Sequence, residues 1–391
     1  MKTFPVNHSP SDISRRTFVR NASLSLAALS LLKVKAFASA SDNTGLKDYY
    51  KDDFHIGAAL SDGIFMNNDQ KMLDFVAREF NSITAENAMK WERVHPRENE
   101  WRFEIPDQLV EFGEKHGMHL LGHVLVWHSQ VPKDLFKDGE ARVSKEVLTK
   151  RMENHIQTLV DRYKGKIHAW DVVNESITPE DGWRKSPWLE IMGPEFMDHA
   201  FHLAHEADPQ CHLLYNDYGM DNVKRRDFVV QMVKDFQKKG VPIHGIGMQG
   251  HYNIDGPPIS EIEASIEAFA STGLRVHFTE LDVDVLPYNW ARTAEISTNI
   301  EYAKSLNPYV DGLPKEVNDK LTKRYEDLFR LFIKHRDKLD RITFWGTTDA
   351  NSWKNNFPMR GRTNYPLLFD RQSKPKDAYH AVVALKKSEP R

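Results

Sequence analysis

The stretch HAWDVVNES, His168–Ser176, determines how the rest of the chain is interpreted, because an apolar run ends there abruptly in Asn174 and Glu175. A second stretch, RVHFTELDV at Arg275–Val283, is built in the same way and carries Glu280. Short apolar runs rich in β-branched residues are typical of buried strands. An isolated Asn-Glu pair would often only begin a loop or a helix. Two such strands predict paired carboxylates, which is the requirement of glycoside hydrolysis.

Eight short apolar runs alternate along the chain with longer segments of helical periodicity. The predicted strands are His55–Leu60, Ser82–Thr84, His119–Val126, Ile167–Val173, His212–Tyr215, Gly245–Gln249, Arg275–Phe278 and Ile342–Trp345. Between them, apolar residues recur at a spacing of three or four, as in Leu321, Tyr325 and Leu328. Eight βα units without a linker predict an α/β fold, a single-domain (β/α)8 TIM barrel. An open doubly wound sheet is the alternative, but no Gly-x-Gly-x-x-Gly turn follows the first strand.

The first forty residues have the features of an export signal. Ser14–Thr17, SRRT, precedes an apolar segment at Leu24–Leu32, and Ala38–Ala40 forms a small-x-small cleavage site. Paired arginines before a modest apolar run resemble a twin-arginine signal, with a general secretory signal or an unstructured tail as alternatives. The apolar run is too short to span a bilayer permanently. We therefore expect residues 1–40 to be removed, residues 41–391 to form the catalytic domain, and the protein to be periplasmic or secreted.

Charge and cysteine content exclude several kinds of partner and bond. The 391 residues carry 53 Lys and Arg against 56 Asp and Glu, and six of the basic residues lie in the predicted signal. The exported chain is therefore acidic and has no polycationic patch for nucleic acid. Cys211 is the single cysteine, so no intrachain disulfide can form. His199, His202 and His205 are interpreted as a solvated helix face, because they lie at the opposite end of their βα unit from the strand end.

Polar and aromatic residues follow the predicted strands at their carboxyl ends, which is where barrel enzymes bind substrates. Taken singly, each has an ordinary structural explanation. Together they form a set typical of sugar binding, in which aromatic rings stack on pyranose faces and amides and charges bind hydroxyls. The set comprises Glu86, Asn87, Lys90, His123, Trp127, Asn174, Glu175, Tyr218, Gln249, His251, Glu280, Asp282, Trp345 and Trp353. Asn216, Asp217 and Asp349 also lie at strand ends, without a predicted role.

Seven motifs in a fixed order resemble the family-10 glycoside hydrolases, the endo-β-1,4-xylanases. They are TAENAMKWERVHP (Thr84–Pro96), GHVLVWHSQVP (Gly122–Pro132), WDVVNE (Trp170–Glu175), YNDYG (Tyr215–Gly219), GIGMQGHY (Gly245–Tyr252), TELDV (Thr279–Val283) and WGTTDANSW (Trp345–Trp353). The resemblance runs from about residue 50 to residue 385. It implies a TIM barrel that hydrolyses internal β-1,4 bonds of xylan or xylooligosaccharides with retention of anomeric configuration.

The resemblance also implies roles for individual residues. Glu175, in WDVVNE, corresponds to the general acid/base, and Glu280, in TELDV, corresponds to the nucleophile. The two carboxyl groups of a retaining enzyme lie roughly 5 Å apart, so the charge of one raises the pKa of the other. The residues matching glycone-side contacts are Glu86, Asn87, Lys90, His123, Asn174, Gln249, Trp345 and Trp353; Trp127 matches the same cleft and Tyr218 an aglycone-side stacking residue. His251 and Asp282 are predicted to hold the nucleophile, and Asn174 to donate to the sugar 2-hydroxyl.

Two other readings of the sequence remain open. One is a different retaining barrel glycosidase, such as a cellulase or mannanase, and the other is a non-catalytic carbohydrate-binding protein. No His-x-His motif is present, so we expect neither a catalytic metal nor another cofactor, and we expect a monomer without a stable membrane anchor. The loop Lys354–Pro366 carries Arg360 and Arg362. One hypothesis is that an arginine there pairs with a glucuronosyl branch of xylan; loop packing or solvation is the alternative.

Overall fold

Eight parallel strands form the centre of the protein in the computed structural model, which describes residues 44–178, 182–287 and 304–388. The strands are β1 His55–Leu60, β2 Ser82–Ala85, β3 His119–Val126, β4 Ala169–Asn174, β5 His212–Asp217, β6 Gly245–Met248, β7 Arg275–Asp284 and β8 Leu339–Phe344. Each strand pairs with the next in the chain, and β8 pairs with β1 through the register Ile56 to Ile342. The sheet is therefore closed, and the predicted single-domain (β/α)8 barrel is confirmed.

Among the described residues, eight longer helices surround the barrel. They are α1 Gln70–Glu79, α2 Glu104–Lys115, α3 Lys145–Arg162, α4 Glu195–Ala207, α5 Val223–Lys239, α6 Ile259–Ala270, α7 Lys315–Lys334 and α8 Asp377–Ser388. Shorter helices occupy Leu46–Tyr50, Asp62–Met66, Trp91–Val94 and Pro187–Met192, with 3-10 turns at Lys304–Leu306, Asp349–Asn351 and Trp353–Asn355. Two small hairpins pair Lys137–Asp138 with Ala141–Arg142 and Ile177–Thr178 with Gly182–Trp183. A further short strand, His251–Asn253, pairs with the end of β7.

Local sequence explains where several helices begin and end. The side chains of Asp69, Ser144 and Asn222 accept hydrogen bonds from backbone amides in the first turns of α1, α3 and α5. Such caps satisfy amides that have no partner within the helix. Helix α5 ends at Gly240, whose φ of 73° lies in the left-handed region that glycine adopts without strain. These local signals determine the lengths of the helices that pack on the strands.

The core lies between the sheet and the helices. Val76 and Phe80 of the α1 segment, and Leu321 and Leu328 of α7, are almost completely buried. Their spacing places them on one helix face, so each helix covers the outside of the barrel with an apolar stripe. A smaller cluster of Leu121, Ala169 and Leu214 is separate from this main core. Packing therefore fixes the strands, and through them the positions of the strand ends.

The strand boundaries differ from the predicted ones mainly where charged residues occur. Strand β7 continues to Asp284, beyond the predicted end at Phe278, and β8 begins at Leu339 rather than Ile342. Register shifts interrupt the pairing near the carboxyl ends of β3, β4 and β7. Such irregularities re-aim side chains, and here they occur on the strands that carry His123, Asn174 and Glu280. The predicted export signal, residues 1–40, lies outside the described residues, so its boundary stays a prediction.

Candidate active site

An open cleft of about 1650 Å³ lies at the carboxyl ends of the barrel strands. Its walls contain nearly every residue that the sequence places in the site: Glu86, Asn87, Lys90, His123, Trp127, Asn174, Glu175, Tyr218, Gln249, His251, Glu280, Trp345 and Trp353. Asp282 is the exception. It does not line the cleft, and its Oδ2 lies 3.0 Å from Nδ1 of His251. The barrel thus collects side chains from seven strand ends into one polar and aromatic groove.

Glu175 follows the last residue of β4 and points its carboxyl group into the cleft. Oε2 accepts a hydrogen bond from Trp127 Nε1 at 3.0 Å, and Oε1 accepts one from Gln249 Nε2 at 2.9 Å. Burial raises the pKa of Glu175, and the negative charges of Asp217 and Glu280 raise the pKa further, against these two hydrogen bonds. The backbone of Glu175 has a φ of 56°, in the left-handed region that non-glycine residues rarely adopt. Strain of this kind is concentrated at functional sites.

Glu280 lies within β7 and its carboxylate is held from two sides. Oε1 accepts a hydrogen bond from Asn216 Nδ2 at 2.9 Å, and Oε2 lies 3.1 Å from His251 Nε2. Burial acts to raise the pKa of Glu280, but the hydrogen bond from His251 and the nearby imidazole of His123 outweigh burial and lower it. The pKa of Glu280 is therefore shifted in the opposite direction from that of Glu175.

His251 connects Glu280 to a second carboxylate behind the cleft. Burial alone would lower the pKa of His251, but contacts with Asp282 and Glu280 raise it to about 9. The imidazole is accordingly a cation at neutral pH and lies between two anions. Asp282 also accepts a hydrogen bond from Trp353 Nε1 at 2.8 Å. The Asp282 carboxylate thus fixes both the histidine and one aromatic wall of the cleft.

A chain of side-chain amides joins the two glutamates. Asn216 Nδ2 donates to Glu280 Oε1 at 2.9 Å and lies 3.0 Å from the side-chain amide of Asn174. Gln249 Nε2 donates to Glu175 Oε1 at 2.9 Å and lies 3.2 Å from the same Asn174 amide. Sequence analysis assigned no role to Asn216, although Asn216–Asp217 near the end of β5 repeats the amide-then-acid order of Asn174–Glu175. That equivalence of position was the available signal.

One wall of the cleft contains a buried lysine. Lys90 Nζ donates to Asn87 Oδ1 at 3.0 Å and to Gln130 Oε1 at 2.8 Å, and it lies 5.2 Å from the centre of the Trp127 ring. Burial lowers the pKa of Lys90, while the charge of Glu86 opposes this shift. Gln130 lies in the motif GHVLVWHSQVP but was not predicted as a site residue. The arrangement offers a fixed cation and several amides to hydroxyl groups.

The floor and the neighbouring wall of the cleft are aromatic. The His123 ring lies 5.1 Å from the Trp345 ring, and His123 Nδ1 lies 2.9 Å from Asp171 Oδ2, a buried carboxylate below the floor. Trp353 stacks on Phe357 with ring centres 4.9 Å apart. Because the indoles are held by packing and by hydrogen bonds, their faces keep fixed positions toward the groove. Flat apolar faces beside polar groups suit a sugar ring.

The opposite wall contains Tyr218 within a network of arginines and Asp217. Arg184 Nη2 donates to Tyr218 Oη at 2.6 Å, and Arg184 Nε donates to the carbonyl oxygen of Glu175 at 2.7 Å. Asp217 Oδ1 accepts from Arg225 Nη1 at 3.2 Å, and its Oδ2 accepts from Tyr215 Oη at 2.5 Å. Sequence analysis assigned no role to Arg184, since nothing local connects it with Glu175. It fixes both the backbone of Glu175 and the ring of Tyr218.

The two loop arginines have different surroundings. Arg362 is buried and donates to the backbone carbonyls of Leu306, Phe357 and Pro287 at 3.0, 3.0 and 3.1 Å. It therefore serves loop packing, the alternative considered for it. Arg360 is exposed and lines the cleft. Only Arg360 is placed to meet a branch of a substrate.

Comparisons with known proteins agree with this geometry. Residues 45–385 match the model of the family described as glycosyl hydrolase family 10. The chain belongs to glycosyl hydrolase family 10. It is 43% identical over 359 residues to an endo-1,4-beta-xylanase A of Xylanibacter ruminicola, covering 91% of this chain and 97% of that protein. It is 40% identical over 342 residues to an endo-1,4-beta-xylanase of Geobacillus stearothermophilus, covering 86% and 97%.

The fold of this family-10 chain is also similar to solved structures of xylan-related enzymes. A GH10 endoxylanase from a sugarcane soil metagenome superimposes with a TM-score of 0.84 and 54% identity, over 87% of this chain and all of that one. A variant enzyme in complex with xylotriose superimposes with a TM-score of 0.77 and 35% identity, over 87% and 99%. Within the ranges that the structure describes, no helix has the length and apolar character needed to cross a bilayer.

Proposed function

We propose that this family-10 glycoside hydrolase is an endo-1,4-β-xylanase that cleaves internal β-1,4 bonds of xylan or xylooligosaccharides with retention. Curated relatives at 40 to 43% identity over most of the chain carry that name. The observation that carries the mechanism is the contrast between two carboxyl groups in one cleft: His251 and Asn216 contact Glu280 and lower its pKa, whereas burial and nearby negative charges raise that of Glu175. Paired carboxyl groups in different protonation states are what acid-assisted displacement at a glycosidic carbon needs.

In the first step, Glu175 is the general acid and Glu280 is the nucleophile. A carboxylate oxygen of Glu280 attacks the anomeric carbon, while the proton of Glu175 passes to the departing glycosidic oxygen. One C–O bond forms and one breaks, leaving a glycosyl ester on Glu280. The cationic His251 favours the ionised form of Glu280 before attack, so the nucleophile is available at neutral pH.

In the second step, Glu175 acts as the base. The charge of Glu280 is lost once its ester has formed, so that contribution to the raised pKa of Glu175 disappears and Glu175 ionises more readily. Glu175 then removes a proton from water, the water oxygen attacks the anomeric carbon from the face vacated by the leaving group, and Glu280 departs. Two inversions at one carbon give overall retention.

The remaining cleft residues would bind the sugar chain. Asn174 lines the cleft, and its side-chain amide is the proposed donor to a 2-hydroxyl, a contact that strengthens as the transition state forms. On the glycone side the proposed contacts are Glu86, Asn87, Lys90, His123, Gln249, Trp345 and Trp353, and Trp127 lines the same cleft. Tyr218, held by Arg184, is the proposed stacking residue on the aglycone side.

The activity is tested by measuring release of reducing ends from xylan, cellulose and mannan with the wild type and with Glu280→Gln and Glu175→Gln. We expect xylan to be the preferred polymer and both variants to lose most of the activity. Glu79→Gln is a matched control, since Glu79 is a buried carboxyl group outside the cleft. Preference for cellulose or mannan would favour the alternative glycosidases, and no release from any polymer would favour a binding protein.

Retention is tested separately by following the anomeric signals of the first products with proton NMR. The β-anomer should appear first and then mutarotate. Initial appearance of the α-anomer would show inversion, and would contradict the role of Glu280 as nucleophile while leaving the substrate assignment in place.

We also propose that residues 1–40 direct export through the twin-arginine route, and that the mature enzyme is a monomer in the periplasm or outside the cell. A reporter fused to residues 1–40 should be exported, and changing both Arg15 and Arg16 to Lys should abolish export. Export that is unchanged in the lysine variant would point to the general secretory route. Light scattering on the purified enzyme checks the monomer.

A further inference from the structure

A second cavity lies at the amino-terminal mouth of the barrel, at the opposite ends of the strands from the catalytic cleft. Its volume is about 330 Å³, and its lining includes His212, His277 and Asp340. His212 is the first residue of β5, His277 the third of β7 and Asp340 the second of β8. Parallel strands begin at one mouth, so the closed barrel gathers these residues from distant parts of the chain. None of them takes part in the proposed mechanism.

The three side chains converge on a shared space. One ligand atom from each lies within 4.8 Å of the other two, and the two imidazole centres are 5.4 Å apart. His277 Nε2 is 3.7 Å from Asp340 Oδ2. Two imidazole nitrogens and one carboxylate oxygen are typical donors for zinc and its neighbours in the first transition row. Bonds to such an ion are roughly 2.0–2.2 Å long, so small side-chain rotations would complete the site.

The nitrogens of the two histidines supply an independent observation. His277 is 2% exposed, and neither of its ring nitrogens has a hydrogen-bond partner among the described residues. Among the same residues, Nε2 of His212 also has none. Buried polar atoms are nearly always satisfied by protein, water or an ion. An ion bound between the two rings would satisfy a nitrogen of each.

Neighbouring residues shape this space and fix the carboxylate. Arg275 Nε donates to Asp340 Oδ1 at 2.6 Å, which leaves Oδ2 directed toward His277. Gly245 belongs to the intervening strand β6, where an added Cβ would lie 3.0 Å from His277 Nε2 and 2.5 Å from Leu214 Cδ2. Outer residues that orient ligands are a regular part of metal sites. Here Arg275 orients the carboxylate of Asp340, and Gly245 leaves room for the ring of His277.

The donor atoms, more than the surrounding charges, distinguish a cation from an anion as the occupant. Arg341 is buried beside the cavity and would repel a cation, but it interacts electrostatically with the carboxylates of Asp171 and Asp340. Arg275 pairs with the same Asp340 carboxylate, so this carboxylate faces two guanidinium groups. The carboxylate that faces His277 would repel an anion at the point where the three ligand atoms meet. The convergence therefore favours a cation.

We propose that His212, His277 and Asp340 bind one divalent transition-metal ion of the zinc, cobalt or nickel class. The ion joins β5, β7 and β8 at the mouth opposite the cleft, and it has a structural and not a catalytic role. The sequence analysis predicted no metal, because no His-x-His motif is present; the three ligands proposed here lie far apart in the chain. This inference does not depend on the proposed xylanase activity.

The test uses the full exported chain after treatment with a chelator. Titration with Co²⁺ should give visible absorption bands that saturate at one equivalent, and Zn²⁺ should displace the cobalt and raise the Tm by several degrees. His277→Gln and Asp340→Asn should each weaken binding by about tenfold or more. Asp340 is partly exposed, so its variant remains informative if His277→Gln does not fold. Xylan hydrolysis should be unchanged by the chelator.

Two control variants distinguish this site from other metal-binding surfaces. His335→Gln alters a second group, Glu263, Glu267 and His335, in which the histidine already contacts Glu263 at 2.7 Å. His199→Gln alters a partly exposed helix face. Neither should change cobalt binding. The proposal fails if wild type gives no saturable cobalt bands, if binding survives both His277→Gln and Asp340→Asn, or if phosphate raises the Tm where the metals do not.

Discussion

The indole nitrogen of Trp127 donates a 3.0 Å hydrogen bond to Oε2 of Glu175, so an aromatic wall of the cleft directly contacts the proposed acid. This bond favours the ionised carboxylate and lowers the pKa of Glu175, against burial and two nearby negative charges. The indole therefore does more than offer a flat face to a sugar. It adjusts the pH at which the acid loses its proton.

Replacing Trp127 with phenylalanine should shift the alkaline limb of the pH profile. The substitution removes a donor to the ionised form, so the pKa of Glu175 rises and activity persists to higher pH, although the rate at the optimum falls. The measurement is kcat/KM for a xylooligosaccharide across pH. Trp345→Phe is the control, because Trp345 lines the same cleft and has no hydrogen bond to Glu175 among the described contacts. An equal shift in both variants would argue against this explanation.

Asp282→Asn should move the acidic limb of the pH–activity profile to higher pH. Asp282 and Glu280 raise the pKa of His251 to about 9, and loss of one anion lowers that pKa. The ring also loses the carboxylate that holds it against Glu280, and a weaker hydrogen bond from His251 lets the pKa of Glu280 rise, so activity at mildly acidic pH is lost. Asp284→Asn is the matched control, since Asp284 is buried on the same strand and bonds to Asn364 and Leu286. An unchanged acidic limb in Asp282→Asn would show that His251 does not set the pKa of Glu280.

The sequence located the strands and most of the cleft, and the reasons for its failures are physical. Apolar runs identify strands, so β7 was ended at Phe278, before the buried Glu280 and Asp282 that still form part of it. The roles of Asn216 and Arg184 depend on hydrogen bonds to other strand ends, which no local pattern encodes. Arg360 and Arg362 are two residues apart, and only the folded loop shows that one is buried and the other lines the cleft.

Stability should fall as pH decreases below about 6.5, with His155 as one cause. His155 is fully buried, stacked on Trp91 at 3.7 Å, and burial holds its pKa well below the ordinary value of 6.5. The unfolded chain takes up a proton below pH 6.5 that the folded chain does not. This costs up to about 1.4 kcal/mol per pH unit until the folded pKa is reached. In denaturant unfolding at several pH values, the free energy of unfolding of His155→Phe should therefore decrease less steeply toward acid pH than that of the wild type. An equal slope in both proteins would mean that other groups cause the loss of stability.

Arg360→Ala should lower the ratio of activity on glucuronoxylan to activity on unbranched xylooligosaccharides, because it removes the exposed guanidinium that lines the cleft. Arg362→Ala should instead lower the Tm. One buried and two partly buried backbone carbonyls lose their donor, at a cost of about 3 kcal/mol. The two variants are measured side by side on both substrates and by thermal unfolding. An unchanged substrate ratio in Arg360→Ala would leave that arginine as a solvated loop residue.

Because residue 175 has a left-handed backbone conformation, the residue that is best for stability at this position differs from the residue that is needed for activity. A glycine there would adopt the same φ with a saving of roughly 1–2 kcal/mol, but it would remove the carboxyl group that we propose as the acid. Selection of variants for heat resistance alone would therefore favour inactive proteins at this position. Thermostable forms of the enzyme have to be sought through the packing of helices and loops, with residue 175 excluded from variation.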